Sequence, residues 1–121
     1  MTFNQYPIDG GYMFKILDSH DNVVGEAFTT IKNDKYWCLD EIVIVKDERN
    51  KGYGTQLLKH LIEFSWSINR LPIRVHPGLD PDTILSGESS GKGDNNKIKE
   101  WYYKRGFTLK DPDERQLWCH P

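Results

Sequence analysis

The run Arg49-Asn50-Lys51-Gly52-Tyr53-Gly54 puts two glycines and two cations within six residues. Glycine opens backbone dihedrals closed to other residues and lets an anion approach the main chain with no Cβ in the way. The run follows the apolar stretch Ile42-Val43-Ile44-Val45 and precedes a segment with apolar residues at 57, 58, 61, 62, 64 and 68, the spacing of an amphipathic helix. A strand that feeds a glycine loop and then a helix aims the helix's free N–H groups at the strand's C-terminal end, which makes an anion site. With Arg49 and Lys51 beside those amides, a diphosphate is the natural ligand. Two other phosphate loops are excluded. A dinucleotide fingerprint needs a third glycine where Leu57 stands, and a Walker A loop needs Lys and then Ser or Thr where Thr55 and Gln56 stand.

Other candidate strings carry less. Gly87-Glu88-Ser89-Ser90-Gly91 matches the hydrolase pattern G-x-S-x-G, but it has neither the buried strand before it nor the helix after it that a nucleophile elbow needs. Cys38, His76, Cys119 and His120 show none of the close paired spacings of a zinc site, so no metal is expected. The two cysteines form no C-x-x-C, and as a pair far apart in the chain they fit free thiols in a reducing cytoplasm.

These positions need elements to hold them. Tyr12 to Leu17, Val23 to Ile31 and Tyr36 to Val45 read as strands, separated by the turn formers Ser19-His20-Asp21-Asn22 and Lys32-Asn33-Asp34-Lys35. The half before the loop is therefore expected to be an antiparallel meander. A helix is expected from Thr55 to about Ile68, stopped by Asn69-Arg70-Leu71-Pro72, and the β-branched run Pro72 to His76 is expected to be a strand. Strand, glycine loop, helix and strand make a βαβ-type unit with parallel pairing. Pro77 to Asn96 has no periodicity and reads as a long loop. Asn95 to Arg105 is expected to be a short helix ended by Gly106, followed by strands at Phe107 to Leu109 and Gln116 to Cys119.

At 121 residues the chain is the size of a single domain, 1–121, and 37% apolar with 28% charged residues is the composition of a folded soluble protein. The longest apolar run has four residues, so neither a membrane span nor a secretion signal is expected, and the expected location is the cytoplasm. A net charge of −2 gives no global field toward nucleic acid. Locally, residues 46–60 are basic and residues 80–94 acidic.

The loop fits R-x-x-G-x-G after a strand and before a helix, and Asn95 to Phe107 fits a later N…Y-x-K-x-G-F signature. On these two segments, in this order, the chain resembles the GCN5-related N-acetyltransferase (GNAT) family. The resemblance implies an α/β (α+β) fold with a mixed sheet, a central β-loop-α-β unit for acetyl-CoA, and a short C-terminal helix with strands. It implies an N-acetyltransferase that uses acetyl-CoA and no metal, with an amine as acceptor. Main-chain groups of Ile42, Val43 and Ile44 would pair with the pantetheine arm, one of their amides polarising the thioester carbonyl. Arg49, Asn50, Lys51, Gly52, Tyr53, Gly54 and Thr55 would hold the pyrophosphate, and Asn95 would contact the middle of the cofactor.

Tyr102, four residues before Gly106, would protonate the departing thiolate; a phenol of pKa about 10 keeps its proton at neutral pH. An amine arrives protonated, so a base is needed, and Glu41, His76 and Asp40 are the candidates, in that order. The family's two helices between its first strands are missing here, which implies an open acceptor side suited to a protein lysine or N-terminus or another macromolecule. The acidic residues of 80–94 would attract a cationic acceptor. The rival readings are a non-catalytic acyl-CoA-binding module and a toxin or phage-type acetyltransferase acting on a macromolecule. The resemblance implies a monomer or a homodimer.

Overall fold

Turn chemistry shapes the first half of the molecule. In the computed structural model, which describes residues 1–76, 95–109 and 116–121, four long strands run antiparallel: β1 (Thr2–Ile8), β2 (Gly11–Leu17), β3 (Val23–Lys32) and β4 (Tyr36–Ile44). Asp18 closes the β2–β3 turn by accepting the N–H groups of His20 and Asn22 at 2.8 and 3.0 Å. These bonds, that of Asn22 first, hold its carboxyl below the usual carboxylate range. Asn33 and Asp34 both take positive φ, 55° and 56°, and the Lys35 N–H returns to the Lys32 carbonyl at 2.9 Å. That is the primed turn whose twist suits a hairpin.

The meander has one strand more than the sequence pattern indicates. β1 buries little, with only Phe3 and Asn4 half-buried, and it contains Pro7. It lies at the edge of the sheet, where a residue with no N–H is tolerated. The signal that could have found it is Asp9-Gly10, a two-residue link between Ile8 and Gly11 with Gly10 at φ 80°.

Past the meander come a single 3₁₀ turn (Lys46–Glu48), α1 (Tyr53–Ile68) and β5 (Ile73–Val75), then α2 (Asn95–Tyr103), β6 (Thr108–Leu109) and β7 (Leu117–Cys119). The sheet order is β1-β2-β3-β4-β5-β7-β6, parallel only between β4 and β5. The helix begins two residues before the expected Thr55, because Gly52 rather than a polar side chain occupies the N-cap. Gly106, at φ 95°, ends the second helical segment as expected, and the Phe107 N–H turns back to the Tyr102 carbonyl at 3.1 Å.

The core lies between the sheet and α1. Leu57, Leu58 and Leu61 are buried against Phe14, Ile16, Ala27, Ile42 and Ile44. Trp37 is wholly buried, donates its indole N–H to Asn69 Oδ1 at 2.7 Å, and receives its β4 position from a main-chain bond to Pro72 at 2.8 Å. One side chain thus ties the end of α1, the start of β5 and β4 together. Cys38 is paired with Arg74 and Cys119 with Ile73, adjacent residues of β5 that face opposite ways. The two thiols therefore sit on opposite faces with a strand between them, and both are free. No described helix is long and apolar enough to cross a membrane. The expected loop from Pro77 to Asn96, apart from its last two residues in α2, lies outside the described residues, and Gly87 to Gly91 with it.

β4 changes character half-way. Phe28 pairs with Glu41 and Thr29 with Leu39, so Asp40 is a one-residue bulge. The extra residue reverses the alternation: Trp37 and Leu39 are buried before it, Ile42 and Ile44 after it, and Asp40 and Glu41 are both exposed. Pairing with β5 covers only Trp37 to Leu39. Beyond the bulge, β4 has β3 as its sole sheet neighbour among the described residues.

Candidate active site

The first turn of α1 is left open toward a cavity. Gly52 at the N-cap takes φ 85° and ψ 2°, there is no side-chain cap, and the first turn contains no acidic residue. The earliest helical bond runs from the Gln56 N–H to the Gly52 carbonyl at 3.2 Å. The N–H groups of Tyr53, Gly54 and Thr55 thus precede the helical ladder. They face a cavity of about 320 Å³ that is also lined by Ile44, Arg49, Trp101 and Arg105. Asn50, at φ 65°, and Gly52 supply the left-handed residues that bend the loop around it.

The cations are distributed differently from the sequence reading. Lys51 forms an ion pair with Glu48 at 2.8 Å and is absent from the cavity lining; that carboxylate raises its ammonium pKa. Arg49 lines the cavity, but its Nε–H is given to the Ile44 carbonyl at 3.0 Å. Arg105, which the sequence reading passed over, comes in from beyond the end of α2. Its Nε and Nη2 donate to Thr55 Oγ1 at 3.0 and 2.7 Å, and its guanidinium lies 3.9 Å from the Trp101 ring centroid. The only sequence signal for it was its place inside the second signature.

The open edge of β4 leads away from this cavity. The Val45 N–H bonds to the Val24 carbonyl of β3 at 2.9 Å. Because strand groups alternate, Val43 likewise turns its main chain to β3, opposite Glu26, while Ile42 and Ile44 direct theirs to the unpaired side. Of the three residues named for the extended arm, two have the required direction. One step past the last parallel pair, Leu39 with Val75, the strands separate, with Asp40 and Glu41 on one side and His76 on the other. Asp40 Oδ2 accepts the Thr30 hydroxyl at 2.8 Å. His76 is half-buried, and burial first, then the Arg74 charge, lowers its pKa, so it is neutral at neutral pH and able to take a proton. Tyr102 is 2% exposed, packed edge-on against Trp101 and Phe107 with centroids 5.0 and 5.2 Å away. Burial pushes its phenol well above the usual range. Asn95 opens α2, and its side chain lies outside what the structure describes.

A profile of the acetyltransferase (GNAT) domain matches residues 9–109. The chain belongs to the GNAT acetyltransferase family. As a member it is an acetyl-CoA-dependent acyltransferase. The fold is similar to that of a GNAT acetyltransferase from Elizabethkingia anophelis with acetyl-CoA bound, with a TM-score of 0.75 and 14% identity over 99% of this chain and 97% of the other. It is also similar to a candidate streptothricin acetyltransferase from Bacillus anthracis in complex with acetyl coenzyme A (TM-score 0.68, 14% identity, 93% of this chain), of which it spans only 63%. For GCN5 of Tetrahymena the TM-score is 0.63 at 17% identity, covering 92% and 68% of the two chains. No curated protein matches the sequence.

The residues present fit the GNAT acyl donor. A diphosphate needs convergent N–H donors, and the first turn of α1 supplies main-chain amides beside two guanidinium groups, while Glu48, the one carboxylate among the lining residues, is paired with Lys51. An extended amide-bearing arm needs a free strand edge, which β4 offers from its bulge onward. Among the described residues, no group of three or more His, Cys, Asp or Glu is placed to hold a metal ion.

Proposed function

We propose that this chain transfers an acetyl group from acetyl-CoA to the amine of a large acceptor, a protein lysine or N-terminus, by direct attack without a covalent enzyme intermediate. The observation that carries the reading is the uncapped first turn of α1, opening into a cavity that Ile44, at the end of the open β4 edge, also lines. The amides of Tyr53, Gly54 and Thr55 bind the pyrophosphate, with Arg49, Asn50 and Gly52 shaping the loop around it. Ile42 and Ile44 hold the arm by main-chain bonds, and one of these amides polarises the thioester carbonyl.

The amine nitrogen attacks the carbonyl carbon; the C–N bond forms, the C–S bond breaks, and the sulfur leaves with the electron pair. Tyr102 serves the leaving sulfur. With its pKa raised by burial, it acts first as a hydrogen-bond donor to the thiolate, whose own basicity rises in the same desolvated surroundings. Glu41 or His76, on the two sides of the separation, receives the proton the ammonium must shed. Most of the rate comes from positioning and carbonyl polarisation.

The preference for a large acceptor rests on the link from β1 to β2. Only Asp9 and Gly10 stand between these strands, so no helix pair rises there to enclose a small amine. The first test is calorimetric titration of the protein with acetyl-CoA, with Gly54→Glu as the control, followed by a screen of peptide, small-amine and RNA acceptors. Binding lost in the variant and acetylation of peptides support the reading. No binding by folded wild-type protein, or turnover confined to small amines, overturns it.

A further inference from the structure

A guanidinium carries five N–H donors in a rigid fork. Arg105 commits Nε–H and one Nη2–H to Thr55 Oγ1 at 3.0 and 2.7 Å, and one Nη1–H to the Trp101 carbonyl at 2.8 Å. That leaves one N–H on each Nη without a partner among the described residues. Its flat face rests on the Trp101 ring at 3.9 Å, so the fork is held from two sides and from behind. No described carboxylate pairs with it, and the cavity it lines is the one faced by the amides of Tyr53, Gly54 and Thr55. The two cations of the loop are arranged otherwise: Lys51 is taken by Glu48, and Arg49, which also lines the cavity, is tied to the loop by its Nε–H on the Ile44 carbonyl, with no aromatic face or hydroxyl against its guanidinium among the described residues.

We propose that Arg105 is the cation that fixes the diphosphate of the acyl donor, held against the first turn of α1 by Thr55 and Trp101, while Arg49 and Lys51 serve chiefly to hold the loop's own shape. This rests on the reading that the cavity takes acetyl-CoA. The clamp then has two halves far apart in the chain, the amides that open α1 and a guanidinium from just beyond α2. It closes only when these segments are docked on each other. The hydroxyl of Thr55 acquires a role of its own, which is to orient Arg105, distinct from the role of its main-chain N–H.

The test is a binding cycle read by calorimetry and, for the weakest ligand, by NMR titration. Wild type, Arg105→Gln, Arg105→Lys and Arg49→Gln are each titrated with acetyl-CoA, with its 3′-dephospho form, and with S-acetylpantetheine, which has no phosphate. Arg105→Gln is expected to weaken acetyl-CoA and the dephospho form by the same factor, about 10- to 100-fold. S-acetylpantetheine should bind unchanged. Arg105→Lys should recover part of the loss, and stands as the folded comparison should Arg105→Gln not fold; Arg49→Gln should cost less than Arg105→Gln. An equal loss for all three ligands would make Arg105 a packing residue and overturn the assignment. A loss that disappears with the dephospho form would move it to the 3′-phosphate and overturn it too. Wild-type protein that binds none of the three would remove the acetyl-CoA reading itself, a result distinct from either of these.

Discussion

The meander of β1 to β4 and the separation between β4 and β5 are built on opposite terms. In the meander, strands of seven to ten residues pair along their length, and tight polar turns close each hairpin. In the second region, a three-residue strand meets β4 over three pairs, a bulge ends the pairing, and a sixteen-residue helix begins without a cap. The first region pairs its strands with one another along their length; the second leaves the first amides of α1 and the edge of β4 past its bulge without a partner in helix or sheet among the described residues. Unpaired backbone groups cost free energy unless something else meets them. The cost is concentrated where a ligand with a diphosphate and two amides can meet it, and the meander supplies the rigidity that keeps the separated strands apart.

If the division holds, variants in the two regions should fail in different measurements. The largest effect is expected from Trp37→Ala, which removes the wholly buried side chain that joins β4, β5 and the end of α1. Urea unfolding should show a loss of about 3–5 kcal/mol. An unchanged midpoint would mean that the meander is not what holds the site. Gly54→Glu should lower acetyl-CoA affinity by about a thousandfold through like-charge contact with the diphosphate. Its melting temperature should hold or rise, because a carboxylate favours a helix N-terminus. Tyr102→Phe should reduce kcat about a hundredfold and leave the KM for acetyl-CoA and the melting temperature nearly as they were. Equal turnover would reduce Tyr102 to a packing residue beside Trp101 and Phe107 and would point to another acid.

The smallest effect tests the seam between β1 and α1. His60 stacks on Phe3 with centroids 4.4 Å apart and lies 2.9 Å from Gln5 Oε1, and burial lowers its pKa. The folded form therefore binds the proton less readily than the unfolded chain. Stability from this group is present above the ordinary histidine pKa of about 6.5 and is lost as pH falls through the lowered value. Thermal melts from neutral pH down to about pH 5 should show a modest decline in the wild type that flattens in His60→Phe. A decline of equal slope in both would place the acid sensitivity elsewhere.

How much of this was legible in the chain follows the same division. Local signals act over a few residues: Asn33-Asp34 at a primed turn, apolar residues at helical spacing in α1, Gly106 past the end of α2. They placed the elements and the glycine loop because backbone preference and amphipathic spacing are properties of short segments. β1 escaped because an edge strand buries too little to leave an alternating pattern, although Asp9-Gly10 announced its hairpin. The bulge at Asp40 was not visible either. It is a mismatch between two strands rather than a property of one, and it alone decides that Ile42 and Ile44, and not Val43, turn their main chains to the open edge.

By itself, then, the sequence determined that a strand, a glycine loop and a helix would follow one another, and that a second signature would come after them. How the cations are held around that loop was decided only in three dimensions. Arg49 and Lys51 are next to the glycines in the chain, yet Lys51 turns to Glu48 and Arg49 Nε–H to the Ile44 carbonyl, while Arg105 arrives from fifty residues away to meet Thr55. A charged side chain goes to whichever partner the folded chain brings within hydrogen-bond reach. That distance is set by where the fold lays the turn after α2 against the first turn of α1, and it is written in no single segment of the chain.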